Sequence, residues 1–570
     1  MKLPIATPLA VLCAAALSMP AFAAKPAKAP KPPKAPVFDT KRLSEEVKVL
    51  SSDEFEGRGP ATAGETKTID YVVAQLKAAG VQPGGDLKDG KRLWTQAVPL
   101  LRSNIEGSPK LTLTVKKKSR ALTQGNEIAV RAALNGADNV AFKNAPLVFA
   151  GYGVSAPERD WDDFKGVDLK GKIAVVLIND PDFDTGDGGS DQNAFGGKAM
   201  TYYGRWTYKY EEAARRGALG LLIVHETEPA SYGWATVKNS NTNTMFDVVR
   251  DQPGKAHPSM EGWIQRDLAV SLFKSAGLDF EKLKQQAQTR EFKPVTLKGV
   301  TLSANYAVKS EVITSQNIVG RVEGSKKPDE TVIYSAHWDH LGVGAPDAKG
   351  DTIYNGAVDN ATGTAALIEM GRAFAKGKKP QRSVVFLAVT AEEKGLLGSE
   401  YYSSKPLYPL AKTVAVINTD ALSPTGPARD FTTSGSAKQE LLDELIATAQ
   451  RWNLNYVTDP KPEAGHFFRS DHFPFAKRGV PAVSFGSGED KADGGVDAGK
   501  AESAAYVKDR YHQPADQWEA SWTFTGMARD LQILYTLGND LANSRRWPNW
   551  AQDSEFRGAR DETAGERAGK

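Results

Sequence analysis

The chain has 570 residues, of which 41% are hydrophobic and 25% charged, which is an ordinary globular composition. Its 72 basic and 69 acidic residues leave a formal net charge of +3, so the charge gives no reason to expect a nucleic-acid partner. Cys13 is the single cysteine, and it lies in the N-terminal segment described next. With one cysteine, the chain cannot form an internal disulfide, and the rest of the chain has no thiolate to bind a metal. Any metal site would therefore have to be built from His, Asp and Glu.

Residues 1–23 are predicted to be a signal peptide. Lys2 precedes an apolar run from Leu9 to Leu17, and Ala21-Phe22-Ala23 gives the small-x-small pattern of a cleavage site. The apolar run is shorter than the roughly 20 residues of a membrane-spanning helix. We therefore expect an exported protein, periplasmic or extracellular, without stable membrane insertion after cleavage. Residues 24–37 are rich in Lys, Ala and Pro and are predicted to be a disordered linker.

The remaining chain divides into parts that differ in composition and in the spacing of apolar residues. Residues 40–82 have helical spacing of apolar positions, and Gly80 ends the pattern. From 142 to 295, short apolar runs are separated by Gly, Asp and Asn, which favours an inserted β-rich module. The runs are Ala145–Ala150, Ile173–Ile178 and Leu219–Val224. Residues 552–570 are charged and poor in apolar residues, and are predicted to be a disordered tail.

From about residue 312 the pattern alternates between strands and helices. Helices are predicted over Thr362–Ala375 and Gln439–Trp452. Strands are predicted over Thr331–Ala336, Ser383–Val389, Val414–Ile417 and Pro481–Phe485. This alternation indicates an α/β fold with a mostly parallel central sheet flanked by helices. The predicted main domain comprises residues 38–141 and 296–545, interrupted by the 142–295 module. Gly494 to Lys500 has the spacing of a phosphate loop, but Ala501 lacks the hydroxyl that such a loop needs, so we interpret it as a plain loop.

Three successive predicted strands are each followed by a histidine or an acidic residue. His337-Trp338-Asp339-His340 follows the first, Glu392-Glu393 the second and Asn418-Thr419-Asp420 the third. Ligands of open α/β sheets bind beyond the carboxyl ends of the strands. Asp359-Asn360 precedes a predicted helix, and Tyr511-His512 adds a histidine near the end of the chain. The sequence thus predicts one rim that is rich in imidazole and carboxylate groups.

These residue types suit zinc. Zn²⁺ binds imidazole and carboxylate ligands, and two zinc ions can share one carboxylate. The adjacent acids Glu392 and Glu393 cannot point the same way in an extended or turn segment, so one could bind metal while the other acts as a base. Asp339, two residues after His337, could orient the second imidazole nitrogen.

Each residue alone has an ordinary explanation. His337 alone would more often be a structural or surface histidine, and we assign no ligand role to His340. Glu392-Glu393 alone would be a solvated pair, Asp359-Asn360 a helix cap, and Tyr511 a core residue. Only their combination favours a metal centre.

The combined motifs resemble the co-catalytic di-zinc peptidases of peptidase family twenty-eight, typified by bacterial leucyl aminopeptidases and glutamate carboxypeptidase. The resemblance covers about residues 40–140 and 300–540. It is carried by Ser335–His340, Gly356–Gly363, Ala391–Ser399, Asn418–Asp420, Ser470–Phe475 and Tyr511-His512, with Glu56-Gly57-Arg58 near the N-terminus.

The resemblance implies a role for each matching residue. It makes His337 and Asp420 ligands of one zinc ion, Glu393 and His512 ligands of the other, and Asp359 the bridge between the two. Glu392 matches the general base, Asp339 the residue that orients His337, and Tyr511 a group that polarises the scissile carbonyl. In relatives the peptide bond between the equivalents of Asp359 and Asn360 is cis. His472 is expected to be structural.

The 142–295 module resembles a protease-associated domain through Ala150–Val154, Asp168–Val176 and Ala213–Ile223. Such a domain would cover the cleft or restrict substrate size. The resemblance therefore implies an exported aminopeptidase with two Zn²⁺ ions and peptide substrates. A carboxypeptidase of the same family, a single-zinc glutaminyl cyclase and a non-catalytic receptor-like binding protein remain alternatives. The sequence does not fix the oligomeric state.

Overall fold

The computed structural model describes residues 34–184, 194–435 and 437–567. The predicted signal peptide lies outside these residues, and only residues 34–37 of the predicted linker are included, without regular secondary structure. In the described part of the chain, every helix is too short or too polar to cross a lipid bilayer.

Fourteen strands of three or more residues form the sheet that organises the described chain. They are β1 Thr95–Val115, β2 Lys118–Leu122, β3 Ile128–Val130, β4 Asn139–Phe149, β5 Ile173–Leu177, β6 Gly220–His225, β7 Met245–Val248, β8 Met260–Gln265, β9 Val295–Val322, β10 Lys327–His337, β11 Arg382–Val389, β12 Thr413–Thr419, β13 Asp430–Thr433 and β14 Ala482–Ser487. Shorter strands at Gln82–Pro83 and Asn455–Tyr456 bring this sheet to sixteen strands.

The described chain has eleven helices of eight or more residues. They are α1 Thr40–Leu50, α2 Ala63–Ala79, α3 Trp206–Arg215, α4 Trp234–Asn241, α5 Arg266–Ser275, α6 Phe280–Ala287, α7 Gly363–Lys376, α8 Leu397–Ser404, α9 Glu440–Gln450, α10 Gly495–Asp509 and α11 Thr525–Ala542. Four shorter helices are Thr227–Ala230, Phe473–Ala476, Arg557–Glu562 and Ala564–Arg567.

The strands that lead to the candidate site lie side by side and parallel. β10 is central, with β11 on one side and β12 on the other, and β14 pairs in parallel with β12. β9 and β13 add antiparallel neighbours to this group. The predicted α/β class with a mostly parallel, helix-flanked sheet is confirmed.

Both faces of this sheet are buried, which explains the continuous apolar runs in its strands. Val332 and Tyr334 of β10 pack into a core with α1, α2, α7 and α11. Ile333, between them, faces a second core that includes Phe475 and Trp550. Alternate residues of one strand therefore hold two helical layers together.

The 142–295 segment continues the same sheet. β4 pairs antiparallel with β9, and β4, β5, β6 and β8 then follow in parallel. The three strands predicted here are confirmed; β5 and β6 agree within one residue at each end, whereas β4 begins six residues before the predicted Ala145. The segment also contains α3 to α6, so its sheet carries helices of its own. Its treatment as a separate domain stays a prediction.

Residues 40–82 are helical as predicted, and Gly80 ends the second helix, but a turn with left-handed conformations at Glu56 and Gly57 divides the segment into two helices. Two predictions of local structure need correction. Gly494 to Lys500 is not a loop, since α10 begins at Gly495. Residues 552–567 are ordered rather than a disordered tail. Phe556 is buried against Trp550, and Arg560 donates to the carbonyls of Thr413 and Val414.

Candidate metal centre

The parallel strands bring the predicted residues to one edge of the sheet. His337 is the last residue of β10, Glu392 and Glu393 follow the end of β11, and Asp420 follows β12 directly. Because the carboxyl ends of parallel strands meet at the same edge, these side chains converge. Asp359 approaches from the turn before α7 and His512 from the turn after α10.

Asp359 lies between two pairs of side chains, His337 with Asp420 and His512 with Glu393. Its Oδ1 is 3.3 Å from His337 Nε2, which is also 3.1 Å from Asp420 Oδ1. Its Oδ2 is 3.2 Å from His512 Nε2, which is also 3.3 Å from Glu393 Oε2. One carboxylate therefore presents one oxygen to each group, as a bridging ligand would.

These separations fit zinc. Ligand atoms about 2.0–2.2 Å from a tetrahedral ion lie roughly 3.3 Å from one another. The four nitrogen–oxygen distances in the cluster fall between 3.1 and 3.3 Å. His337 and Asp359 are almost fully buried, at 1% and 4% exposure. The carboxylates of Asp359, Asp420 and Glu393 lie close together here, so their negative charges call for a compensating cation.

Asp516 holds the turn that carries Asp359. Its carboxylate accepts hydrogen bonds from the backbone N–H groups of Val358 and Asp359 at 3.1–3.2 Å. The peptide bond between Asp359 and Asn360 is cis, as the resemblance implied. Asn360 in turn accepts from the backbone of Ala421 at 3.1 Å, which links this turn to the end of β12. The sequence prediction assigned no role to Asp516.

Asp339 acts on His337 in a different way from the one predicted. His337 Nδ1 lies 3.1 Å from the backbone oxygen of Asp339, whereas the nearest carboxylate oxygen is 3.9 Å away. The Asp339 carboxylate instead accepts from the backbone N–H of Glu392 at 3.1 Å and of Glu393 at 3.4 Å. Burial raises the pKa of this carboxyl to about 6. One residue thus fixes both the imidazole and the turn that carries the two acids.

Glu392 lies beside the His337–Asp420 pair. One of its carboxylate oxygens lies within 4.8 Å of a ring nitrogen of His337 and of an oxygen of Asp420. Burial raises its pKa well above the usual range, and the negative charges of Asp420 and Glu393 add to that effect against the opposing charge of His337. A carboxyl group in such surroundings is suited to taking and returning a proton.

Tyr511 lies at the mouth of the site. Its ring stacks on His512 with centroids 3.9 Å apart, and it is 43% exposed. Partial burial raises its pKa, and the charges of Asp359, Glu393 and Glu392 raise it further. The phenol therefore keeps its proton and can donate a hydrogen bond to a substrate.

A buried hydrogen-bond chain orients Asp420. Ser470 Oγ donates to Asp420 Oδ2 at 2.6 Å and accepts from the Asn418 amide at 2.8 Å. Asn418 Oδ1 accepts from Ser335 Oγ at 2.7 Å. The chain leaves Asp420 Oδ1 free to face His337. The Ser470–Phe475 motif therefore contributes to the site through its serine.

His472, in the same motif, is fully buried and has no hydrogen bond at either ring nitrogen. Burial lowers its pKa to about 3, and its ring meets Phe467 edge-on at 4.7 Å. These contacts agree with the structural role expected for it.

Arg58 explains the N-terminal motif. Its buried guanidinium donates to the backbone carbonyls of Trp338, Leu50, Asn355 and Gly356 at 2.6–2.9 Å. Burial lowers its pKa to about 10. One side chain therefore ties α1 to the two loops that carry His337 and Asp359.

Two cavities open beside the candidate ligands. The first, of about 360 Å³, is lined by Glu392, Glu393, Tyr511 and His512 on one side and by residues of the 142–295 segment on the other. The second, of about 370 Å³, begins at Val358 and Ala421. Its walls are Tyr506 and Trp522, with the Lys491–Glu502 ion pair, Ser423 and Thr425 adding polar groups.

Two arginines that line the first cavity have no acidic partner among the described residues. Arg205 is 9% exposed and its buried Nε has no hydrogen-bond partner, and Arg469 lines the same cavity. Burial lowers the pKa of Arg205 to about 10, and the like charge of Arg469 lowers it further. A buried, unpaired guanidinium is costly and points to an anionic ligand. Arg478, the other arginine near the Ser470 motif, is paired with Glu400.

The sequence comparison identifies the part of the chain that holds this site. The model of Peptidase family M28 matches residues 317–536. This segment is therefore similar to the peptidases of family M28. It contains Glu392, Tyr511 and all five candidate ligands, whereas Arg58 and Arg205 lie outside it.

About a fifth of the chain is similar to parts of other proteins. Mouse "Aminopeptidase NAALADL1" is 38% identical over 116 residues, which are 19% of this chain and 14% of that protein. A "Probable zinc metalloprotease" from Pyrenophora tritici-repentis is 35% identical over 116 residues, 20% of this chain and 26% of that protein. The chain thus matches only a minor share of these relatives.

Among solved structures, the aminopeptidase from Aneurinibacillus sp. strain AM-1 is 18% identical to this chain. The alignment has a TM-score of 0.46 and covers 89% of this chain and 94% of that one.

Proposed function

We propose that the chain is an exported di-zinc aminopeptidase that removes N-terminal residues from peptides. The observation that supports this most strongly is Asp359, which faces a histidine–carboxylate pair with each of its two oxygens at ligand-like distances. The match to family M28 and the similarity to a protein named as an aminopeptidase support the same reaction class.

In this proposal His337 and Asp420 would hold one zinc ion, Glu393 and His512 would hold the other, and Asp359 would contribute to both sites. Bound zinc would supply Lewis acidity and a water of lowered pKa. Asp339 and Ser470 keep His337, the acidic turn and Asp420 in position through the hydrogen bonds described above.

Glu392 is the proposed general base. Its carboxylate lies within 4.8 Å of the His337–Asp420 pair, so it is placed to accept a proton from the attacking water and pass it to the leaving amine. Tyr511 would donate a hydrogen bond to the scissile carbonyl oxygen as negative charge develops there. Both groups lie on the wall of the first cavity, where a substrate would have to enter.

The second cavity is the proposed pocket for the N-terminal side chain. It starts at Val358 and Ala421, which are the neighbours of the candidate ligands Asp359 and Asp420. A substrate whose first residue occupied this pocket would place its scissile bond between the zinc ligands and Glu392.

The test is hydrolysis of a panel of amino-acid anilides with a free amine, compared with their N-acetylated forms. We expect cleavage of the free-amine set only, loss of activity on chelation, and recovery on addition of zinc. Cleavage of the acetylated set at a similar rate would contradict the aminopeptidase proposal.

A carboxypeptidase of the same family is the second candidate, and Arg205 and Arg469 favour it. These two unpaired cations line the first cavity together with Tyr511 and could bind a free C-terminal carboxylate. A "Glutamate carboxypeptidase 2 homolog" from Caenorhabditis elegans is 28% identical over 246 residues, 42% of this chain and 26% of that protein.

An N-acetylated dipeptide with a free carboxylate, compared with its amide, separates the two candidates. A carboxypeptidase cleaves only the free acid and loses that preference in Arg205→Met. An aminopeptidase cleaves neither compound, because both lack the free amine.

We further propose that the 142–295 segment is a protease-associated domain that limits substrate size. Trp206, Tyr210 and Arg250 from this segment line the first cavity together with Tyr511, so the segment would narrow the space available to a folded protein. Peptides of increasing length should therefore be cleaved less well once they exceed the cavity. Export is tested by N-terminal sequencing of the cell-envelope and medium fractions, with Ala24 as the expected first residue.

A further inference from the structure

His340 is a buried histidine that neither the sequence analysis nor the proposed mechanism uses. It has 0% exposure, and neither ring nitrogen has a hydrogen bond of acceptable geometry. Its Nδ1 nevertheless lies 2.7 Å from Glu393 Oε1, which is also buried and without a hydrogen bond. A buried imidazole and a buried carboxylate oxygen that face each other without other partners are costly unless they pair in the working enzyme.

The two oxygens of Glu393 are directed to different partners. Oε2 lies 3.3 Å from His512 Nε2, on the side of the candidate zinc ligands. Oε1 faces His340. The carboxylate is therefore placed to use one oxygen for a metal and the other for a hydrogen bond.

A ring nitrogen of His340 and carboxylate oxygens of Asp359 and Glu393 lie within 4.8 Å of one another, so His340 has to be weighed as a further metal ligand. Its separation from Glu393 favours a hydrogen-bond partner instead. Ligand atoms that share a tetrahedral zinc ion lie roughly 3.3 Å apart. The candidate ligand pairs fit that value, at 3.1–3.3 Å, but the His340–Glu393 pair is closer, at 2.7 Å. A distance of 2.7 Å is typical of a charge-assisted hydrogen bond.

Packing keeps the His340 ring in place. Gly356 lies so close that a Cβ there would be 2.6 Å from ring atoms of His340. Gly356 has φ +56°, and its carbonyl accepts a hydrogen bond from Arg58. The His340 backbone N–H also donates to the Arg58 carbonyl at 3.3 Å. The ring therefore cannot turn away from Glu393 without moving the Arg58 contacts.

We propose that His340 is a positioning residue for the zinc site formed by Glu393 and His512. In the zinc-loaded protein its Nδ1–H donates to Glu393 Oε1, so that Glu393 binds zinc through Oε2 alone. This inference rests on the proposed di-zinc function. Loss of the donor frees the carboxylate to rotate, which weakens the binding of one zinc ion and leaves the ion at His337 and Asp420 largely unaffected.

The test compares His340→Leu with His340→Asn. Leu removes the donor but keeps a branched side chain, whereas the Asn amide nitrogen can occupy the place of Nδ1. Zinc affinity is measured by competition with a chelator, and zinc content by elemental analysis. Partners of metal ligands usually contribute about 10- to 100-fold to metal affinity. We therefore expect His340→Leu to weaken one of two zinc ions by about that factor, and His340→Asn to recover most of the loss.

Two results would overturn the positioning role. Wild-type affinity for both ions in His340→Leu would show that the contact is unimportant. An equal loss in the Leu and Asn variants would show that His340 acts as a ligand or as packing. If His340→Leu does not fold when its circular dichroism is checked without metal, His340→Gln replaces it, and the Asn variant should then bind zinc more tightly than Gln. Fewer than two zinc ions in the wild type would instead refute the di-zinc proposal itself.

Discussion

His257 provides a test of the electrostatics of the inserted segment that does not depend on catalysis. Its Nε2 lies 3.0 Å from Asp247 and its Nδ1 2.7 Å from Glu261, and both carboxylates are about 5% exposed. Arg250 and Arg131 pair with the same two acids at 2.6 and 3.0 Å. Burial alone would lower the pKa of His257, but the charge of Glu261 and the hydrogen bond with Asp247 raise it to about 9.

The size and sign of the effect follow from that pKa. A change from 6.5 in the unfolded chain to about 9 in the folded protein corresponds to roughly 3 kcal/mol of stabilisation. Because the folded-state pKa is raised, this stabilisation is fully present below pH 6.5 and is lost as the pH rises through about 9. Between these values the free energy of unfolding should fall by about 1.4 kcal/mol per pH unit from this group alone.

The assay is urea unfolding of wild type and His257→Gln from pH 6 to pH 9, followed by tryptophan fluorescence. The free energy of unfolding should differ most at pH 6, and the two chains should converge by pH 9. His466→Gln is the control, because His466 also pairs with an aspartate, at 2.8 Å from Asp459, but is 40% exposed and screened by solvent. A difference between wild type and His257→Gln that stays constant with pH would refute this reasoning.

Three substitutions around the metal centre give further predictions. Ser470→Ala removes the donor to Asp420, so zinc affinity measured by chelator competition should fall about tenfold; unchanged affinity would contradict the orienting role. Asp516→Asn weakens the carboxylate that holds the backbone of Asp359, so both kcat and zinc content should fall together, and a loss of kcat with full zinc content would contradict this. Arg58→Met leaves four buried carbonyls without their donor, and each unsatisfied carbonyl costs about 1–3 kcal/mol. The free energy of unfolding of the metal-free protein, measured in urea, should therefore fall by more than about 3 kcal/mol. A decrease under about 1 kcal/mol would be inconsistent with this role.

The convergence of the candidate ligands could be predicted because it follows from topology. The apolar runs before His337, Glu392 and Asp420 are fully buried parallel strands, and parallel strands deliver their following residues to one edge. The strands were predicted within a few residues, since continuous apolar runs bounded by polar residues are typical of a sheet covered on both faces.

The supporting contacts could not be predicted, because they join positions far apart in the chain. Asp516 binds the backbone at Asp359, 157 residues away, and reads in the sequence as an ordinary loop acid. Arg205 is unusual only because the folded chain buries it without an acid nearby. His340 is distinguished from a plain core histidine by contacts that the sequence does not show, its 2.7 Å approach to Glu393 and its two buried ring nitrogens without hydrogen bonds.

Two predictions were wrong because they were based on local composition, the disordered tail at residues 552–570 and the loop from Gly494 to Lys500. Residues 552–567 are rich in charge, but Phe556 and Arg560 are buried, and a few anchoring residues were enough to order the segment. α10 begins in a Gly-rich stretch and has a single buried residue, Gly499, so it shows no apolar face that would have predicted a helix.

Glu392 is the proposed base beside two zinc ions held by other residues. Glu392→Gln separates these roles when zinc content and kcat are measured on the same purified sample. We expect two zinc ions per chain and a kcat for a free-amine anilide that is about 10²- to 10⁴-fold lower than in the wild type. Near wild-type kcat with full zinc content would contradict the assignment of Glu392 as the base.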